Sequence, residues 1–516
     1  MKRCAAMGKT ISGHKFIIFS GAFLIAMYLI FLNPYVDVRG FNAHDPVGYL
    51  GRAPLLWQGF GYGEQFAEVF MPVTVQPPIF SLLLAPVAGI FGINFFVLKL
   101  YMLVFSGFFG LALYRFFAYF CDSPSKAMPA TLLMMSSPVI FGLSHRILAD
   151  VPLFVFVVSG LLIVDQYLKK PSSIFSKQLA FSAIAMSGAY LLKQTGVALF
   201  AGAWALFLHP SYRNKLVFKK LLILSALALI PIVAWHAWSK TVPDDLWYWT
   251  TPAARDYFWK NPKTAVDGYI PFLDFVIRVR HNLVWGIFNN IAAVFIAPFY
   301  FLEGSAAGFL LAFPVVIWLV WEWVKSFVKQ PSVLEGFVFF SLLLLVPKYL
   351  GMASRYVAII WPALVVYGFR GISIVPQKIK TPFVYSLILL AMGSTLIVAW
   401  DQQKNPYGSK TLSDYVSIAA QAKQILPEAE VCKAPLPLHW QLLTGHKCQY
   451  KGQTLVTYFL ALSDPSKDIT SYQDIEFDAL RDAQAIGNFW QQDASRTKKI
   501  LQNDTFALFK VVNHGN

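Results

Sequence analysis

The residues with the type and setting for chemistry in this 516-residue chain fall where long apolar runs give way to short polar stretches. The stretch from Gly40 to Pro78 gathers His44, Asp45, Tyr49, Arg52, Glu64 and Glu68 directly after the first apolar run. A carboxylate at such a mouth can take a proton from an attacking hydroxyl or amine, and an ionisable group at a membrane edge is a site hypothesis by default. Asp45 and Tyr49 are one turn apart if the segment is helical. A second carboxylate, Asp150, ends the stretch Ser-His-Arg-Ile-Leu-Ala-Asp with His145 and Arg146 beside it, so two carboxylates at separate mouths can share one site as base and orienting partner. Lys193 and Arg355 are basic residues at the outer ends of apolar runs, where cations are statistically disfavoured. With Arg52 they form a set able to hold a phosphate. Structural readings stand beside each: Asp45, followed by Pro46, and Asp150, followed by Val151-Pro152, have the pattern of helix N-caps, and Lys193 that of a side chain reaching to the interface.

The elements that must position these residues are membrane helices. Hydrophobic residues make up 57% of the chain, aromatics 16% and charged residues 14%, which places it outside soluble globular composition and marks an all-α polytopic membrane protein. Residues 401–516 hold 12 basic and 12 acidic side chains, so the net charge of +16 lies entirely in residues 1–400. There it forms short clusters between apolar runs, the pattern of membrane topology and not of a nucleic-acid surface.

Eleven runs are long enough, or nearly so, for a ~30 Å hydrocarbon core: about 16–33, 95–118, 127–143, 152–168, 178–193, 195–209, 220–238, 306–324, 334–350, 355–372 and 382–400. Two more, Ile79–Phe91 and Leu283–Phe301, bring the range to about 11 to 13. Keeping both out of the count as interfacial helices leaves Lys126, Lys177, Lys219, Lys325 and Lys378 on one side, the cytoplasm. The N-terminus is then cytoplasmic, with Phe16–Leu32 as an uncleaved anchor, in a multi-pass protein of the inner (plasma) membrane. Residues 401–516 emerge outside as a small extracytoplasmic α/β domain, with a helix over Leu412–Leu426 and strands over Glu430–Lys433, Thr454–Leu460 and Thr505–Val512. Residues 1–400 form the membrane domain. In an outer domain Cys432 and Cys448 suit a disulfide, while His439 and His446 between them fit no usual zinc spacing.

The order of these motifs resembles the polytopic glycosyltransferases of the GT-C fold, in particular glycosyltransferase family 39, with its protein O-mannosyltransferases and the aminoarabinose transferases that modify lipid A. The carriers are His44 to Ala53, Gln76 to Phe80, Ser137-Pro138, Ala149 to Pro152, Leu192-Lys193, and Ser354-Arg355-Tyr356 with Pro362. The resemblance implies Asp45 as the catalytic base, Asp150 as the second acidic residue, and Lys193, Arg355 and Tyr356 as holders of the phosphate of a polyprenyl-phosphate sugar donor. The acceptor would be a lipid, glycan or protein on the outer face. No cofactor would be required, with a divalent metal left open, because cations supply the counter-charge. The chain departs from relatives that carry an acidic-basic pair before the Pro-Pro: Val75 and Gln76 stand there. From another functional class, a transporter or lipid flippase shares the composition, but its charged residues would lie within the spans, and paired broken helices or inverted repeats would be expected.

Overall fold

The computed structural model describes residues 2–32, 44–65, 70–74, 76–121, 123–170, 174–241, 269–283, 306–329, 331–348, 354–372, 375–404, 410–427, 431–434, 437–445, 448, 458–463, 483–484, 486 and 497–511. The expected interfacial run Leu283–Phe301 and the aromatic loop of Trp247 to Trp259 lie almost wholly outside these residues.

Hydrocarbon leaves backbone groups no partner but their own segment, so the apolar runs fold as helices. In chain order they are α1 (Lys2–Ile30), α2 (His44–Trp57), α3 (Ile79–Phe91), α4 (Phe95–Phe120), α5 (Pro124–Met135), α6 (Pro138–Ser144), α7 (Asp150–Lys169), α8 (Lys177–Leu192), α9 (Ala198–Leu208) and α10 (Lys215–Ser239). There follow α11 (Phe272–His281), α12 (Ala306–Lys329), α13 (Val333–Leu345), α14 (Ser354–Val357), α15 (Trp361–Gly371) and α16 (Gln377–Lys404). Every run expected to span is thus helical, but not each is one straight helix. By length and apolarity, four described helices can cross a membrane alone, and α5 with α6 makes a fifth, bent by 69°. The break falls at Ser136-Ser137-Pro138, where the residue before a proline is pushed out of the helical region; Ser137 has ψ 130°. The run 195–209 begins as a 3-10 turn, Gln194–Val197, and 355–372 is interrupted by another at Ala358–Ile360. The expected interfacial helix α3 has 13 residues, about 20 Å at 1.5 Å per residue, short of the hydrocarbon core.

Side-chain caps fix several starts. Asn94 and Asn214 accept from the backbone N–H of Val97 and Val217 at 3.2 and 3.0 Å, and Ser332 with Glu335 forms a capping box at α13. Helices α9 and α13 pack backbone to backbone, since a Cβ at Gly202 would lie 2.8 Å from Phe337 N and one at Gly336 would lie 2.4 Å from Ala205 Cβ. Small residues allow such close approach in membranes.

A set of basic residues sits where α4, α7 and α15 end and α5, α10 and α16 begin. Lys220 Nζ donates to the carbonyls of Tyr167 and Lys170 at 2.9 and 2.6 Å. Arg370 Nε reaches Phe120 O at 3.0 Å, and Lys126 and Lys380 are electrostatic neighbours. That grouping brings together clusters far apart in sequence, as one membrane side would.

Beyond α16 a second core forms around Tyr415, Ile418, Trp440, Leu460, Phe506 and Leu508. Helices α17 (Lys410–Ile425) and α18 (Pro437–Thr444) cover a four-stranded sheet of β3 (Cys432–Lys433), β4 (Tyr458–Leu462), β5 (Thr497–Gln502) and β6 (Phe506–Val511). Its order is β3-β4-β6-β5, with β3 parallel to β4 and the other pairs antiparallel. A smaller hairpin, β1 (Gly63–Gln65) with β2 (Phe70–Pro72), lies in the first loop. The expected disulfide is not formed: an isolated backbone bridge pairs Cys432 with Cys448, but no sulfur bond joins them.

Candidate active site

Lys193 follows the last turn of α8, where its N–H still donates to Ala189 O at 3.1 Å. Gly196 N then donates to Lys193 O at 2.8 Å, folding the chain back into the 3-10 turn. The turn lies so close to α8 that a Cβ at Gly196 would be 2.3 Å from the Ala189 carbonyl carbon. The lysine is thereby held with its Nζ 2.7 Å from Asp150 Oδ1. Asp150 opens α7 and is 2% exposed, and a buried carboxylate needs such a partner.

The same ammonium lies 4.5 Å from the centre of the Tyr356 ring. Arg355 Cζ is 4.6 Å and Lys348 Nζ 4.9 Å from that ring centre, and Arg355 Nη2 donates to the Tyr356 hydroxyl at 2.6 Å. Cations favour the negative face of an aromatic ring, so one tyrosine organises three positive side chains from two chain segments. Arg146 and Arg355 both act electrostatically on Asp150. A carboxylate, a tyrosine and several cations at one bundle end can hold an oxyanion and stabilise charge that builds on it.

Arg52 is placed differently. Its Nε and Nη2 donate to Glu64 Oε1 at 3.0 and 2.5 Å, while Nη1 reaches the Tyr62 hydroxyl at 3.4 Å and also donates to Gln76 Oε1. Arg52 is 2% and Glu64 0% exposed. The Tyr62 hydroxyl donates in turn to Gln76 O and Pro77 O at 2.9 and 3.2 Å. Burial pushes the Tyr62 phenol up, against the pull of Arg52, so it stays a donor. Together these contacts tie α2 to the hairpin and to the entry of α3. Gly48 makes room for them, because a Cβ there would meet Arg52 Nη2 at 2.7 Å.

Of the remaining expected residues, Tyr49 packs edge-on against Phe80 with ring centres 4.7 Å apart. His145 caps α6, with its ring nitrogens 2.8 Å from Phe141 O and 2.9 Å from Tyr28 O, and so ties α6 to α1. His44 and Asp45 begin α2, one turn before Tyr49, and their side chains lie outside the described residues. Asp150, Lys193, Arg355 and Tyr356 are therefore brought together, with Arg146 within electrostatic reach, while Arg52 and His145 bind elsewhere. Lys348 was not singled out in the sequence. For Lys348 a signal existed: Pro347-Lys348 is a basic outer end, the criterion that picks Lys193, but it was hidden within the run 334–350. Among the described residues no group of three His, Cys, Asp or Glu side chains could hold a metal ion.

The family model described as dolichyl-phosphate-mannose-protein mannosyltransferase matches residues 75–238, which include Asp150 and Lys193. Among solved structures, the chain is similar to ArnT from Cupriavidus metallidurans bound to undecaprenyl phosphate, with a TM-score of 0.61 over 96% of this chain and 98% of that one at 12% identity. Residues 75–238 thus carry that family's sequence pattern, and the chain as a whole has the fold of these membrane enzymes. The chain is also similar in fold to the Archaeoglobus fulgidus oligosaccharyltransferase in complex with Zn and sulfate, with a TM-score of 0.51, 14% identity, and coverage of 84% of this chain and 62% of that one. A search among curated proteins finds no significant match. Nothing in these comparisons supports a transporter or flippase.

Proposed function

We propose that this protein is a membrane glycosyltransferase that moves a sugar from a polyprenyl-phosphate donor to a hydroxyl or amine of a lipid, glycan or protein at the outer face of the inner membrane. The observation that carries the reading is the convergence of Lys193 and Arg355 on Tyr356 beside Asp150. The solved relative in complex with undecaprenyl phosphate supports a lipid-phosphate donor. In this reading Asp45 removes the proton from the acceptor, whose oxygen or nitrogen attacks the anomeric carbon. The bond from that carbon to the phosphate oxygen breaks on the opposite face, its electron pair staying on the phosphate, so configuration inverts. Lys193, Arg355 and Tyr356 hold the phosphate, and Asp150 orients Lys193. The counter-charge comes from side chains, so a chelator leaves activity unchanged.

The test is transfer by the purified full-length protein in detergent, using a polyprenyl-phosphate sugar fraction labelled in the sugar. Arg355→Ala at limiting donor should lose more activity than Arg355→Lys, because a guanidinium holds two phosphate oxygens at once. Equal activity of wild type and Arg355→Ala would refute the donor site, and release of label only from nucleotide sugars would refute the donor class.

A further inference from the structure

We infer that Lys348, held in place by Asn282, is a third phosphate-binding cation that makes the site selective for the doubly charged leaving phosphate over the singly charged donor. The inference rests on the donor reading above and adds a residue and a charge preference to it. Lys348 Nζ lies 4.9 Å from the Tyr356 ring centre, on the ring that Lys193 and Arg355 also approach at 4.5 and 4.6 Å. The lysine sits just beyond α13, at the end of a span, where an unsupported chain would fray. Asn282, only 6% exposed, removes that freedom: its Nδ2 donates to Val346 O at 2.6 Å and to Lys348 O at 3.0 Å. A side chain at the end of α11, in the long loop between α10 and α12, therefore fixes the backbone that carries the third cation.

The chemistry explains why a third cation is useful. The donor is a phosphodiester with one negative charge. When the bond between the anomeric carbon and the phosphate oxygen breaks, that oxygen keeps the pair and the phosphate becomes a monoester, which loses its last proton near pH ~6. The leaving group thus gains a full negative charge in the step, and a cation aimed at that charge stabilises the transition state more than the ground state. Among the described residues, the charged and titratable groups seen around the site are Lys193, Lys348, Arg355, Tyr356, Asp150 and Arg146. His145 is turned to backbone carbonyls.

The test is binding of a water-dispersible polyprenyl phosphate and of its methyl ester, a phosphodiester that stays singly charged, to the full-length protein at pH 5 and pH 8. The wild type should bind the monoester about tenfold more tightly at pH 8 than at pH 5, with the ester nearly unchanged, which separates ligand ionisation from titration of the protein. Lys348→Met should erase the monoester's advantage and lower kcat more than it raises the donor KM; Lys348→Arg should keep it, and Asn282→Ala should weaken it. Unchanged selectivity in a folded Lys348→Met protein, judged by its melting temperature, would overturn the role of Lys348 alone. Failure of the wild type to bind either ligand would overturn the donor reading and this inference with it.

Discussion

Replacing Gly196 by alanine tests whether the turn after Lys193 exists to place that lysine. The added Cβ would lie 2.3 Å from the Ala189 carbonyl carbon, 2.4 Å from its oxygen and 2.7 Å from Tyr190 N, where ordinary contact begins at 3.4 Å. All three atoms are backbone of the last turns of α8, so no side chain can swing aside, and the 3-10 turn must retreat by about 1 Å. Gly196 N is hydrogen bonded to Lys193 O, so the lysine moves with it, away from its 2.7 Å contact with Asp150 and from the Tyr356 ring. A misplacement of about 1 Å costs on the order of 10²-fold in rate. The assay is kcat/KM for labelled-sugar transfer, with the melting temperature measured alongside. Two controls separate crowding from position. Gly393→Ala meets nothing within 4 Å and should be neutral, while Gly202→Ala presses on Phe337 N at 2.8 Å in the contact of α9 with α13, a contact between helix backbones, and should lower stability more than rate. A folded Gly196→Ala protein with transfer within twofold of wild type would refute the argument.

Three further outcomes are expected. Arg52→Ala leaves Glu64 buried without its ion-pair partner, a loss of about 3–5 kcal/mol, whereas the Arg52→Ala, Glu64→Ala double variant should recover part of it; equal melting temperatures for single variant and wild type would rule out the clamp. Asp45→Asn, which keeps the shape and capping ability, should fold normally and lose 10²–10⁴-fold of activity, about the range for a positioned base; an active Asn variant would make Asp45 a helix cap only. In a cysteine-free background, cysteines at Lys219 and Lys378 should resist an impermeant maleimide applied outside and one at Lys433 should react; labelling of the first two would invert the topology.

Helix placement was legible because apolar run length and hydrocarbon thickness are the same constraint, and α17 matches the helix expected over Leu412–Leu426 to within two residues. Breaks within spans were harder. Hydropathy averages over Ser136-Ser137-Pro138 and sees one run, while the backbone sees a proline that cannot donate. Strand β5 was missed because Thr-Lys-Lys-Ile-Leu-Gln lacks the apolar alternation of a covered strand; it lies at the sheet edge, where lysines discourage further pairing. In the site, types and outer positions were enough to select Asp150, Lys193 and Arg355, which α7, α8 and α14 then bring together. The engagement of Arg52 with Glu64, 12 residues further on, depends on the chain turning back from α2 into the hairpin, which no local pattern announces.

The C-terminal unit touches the membrane body at a telling place. Helix α18 packs on α2, Gln441 Nε2 donates to Gln65 O at 3.0 Å, and Phe95 at the start of α4 lies against the second core. The unit therefore leans on the helix that begins at His44-Asp45 and closes one flank of it to anything arriving from the water. If the proposed transfer runs at the start of that helix, the tail stands beside the reacting groups like a doorframe, and changes in it would bear on acceptor choice without touching the reacting atoms.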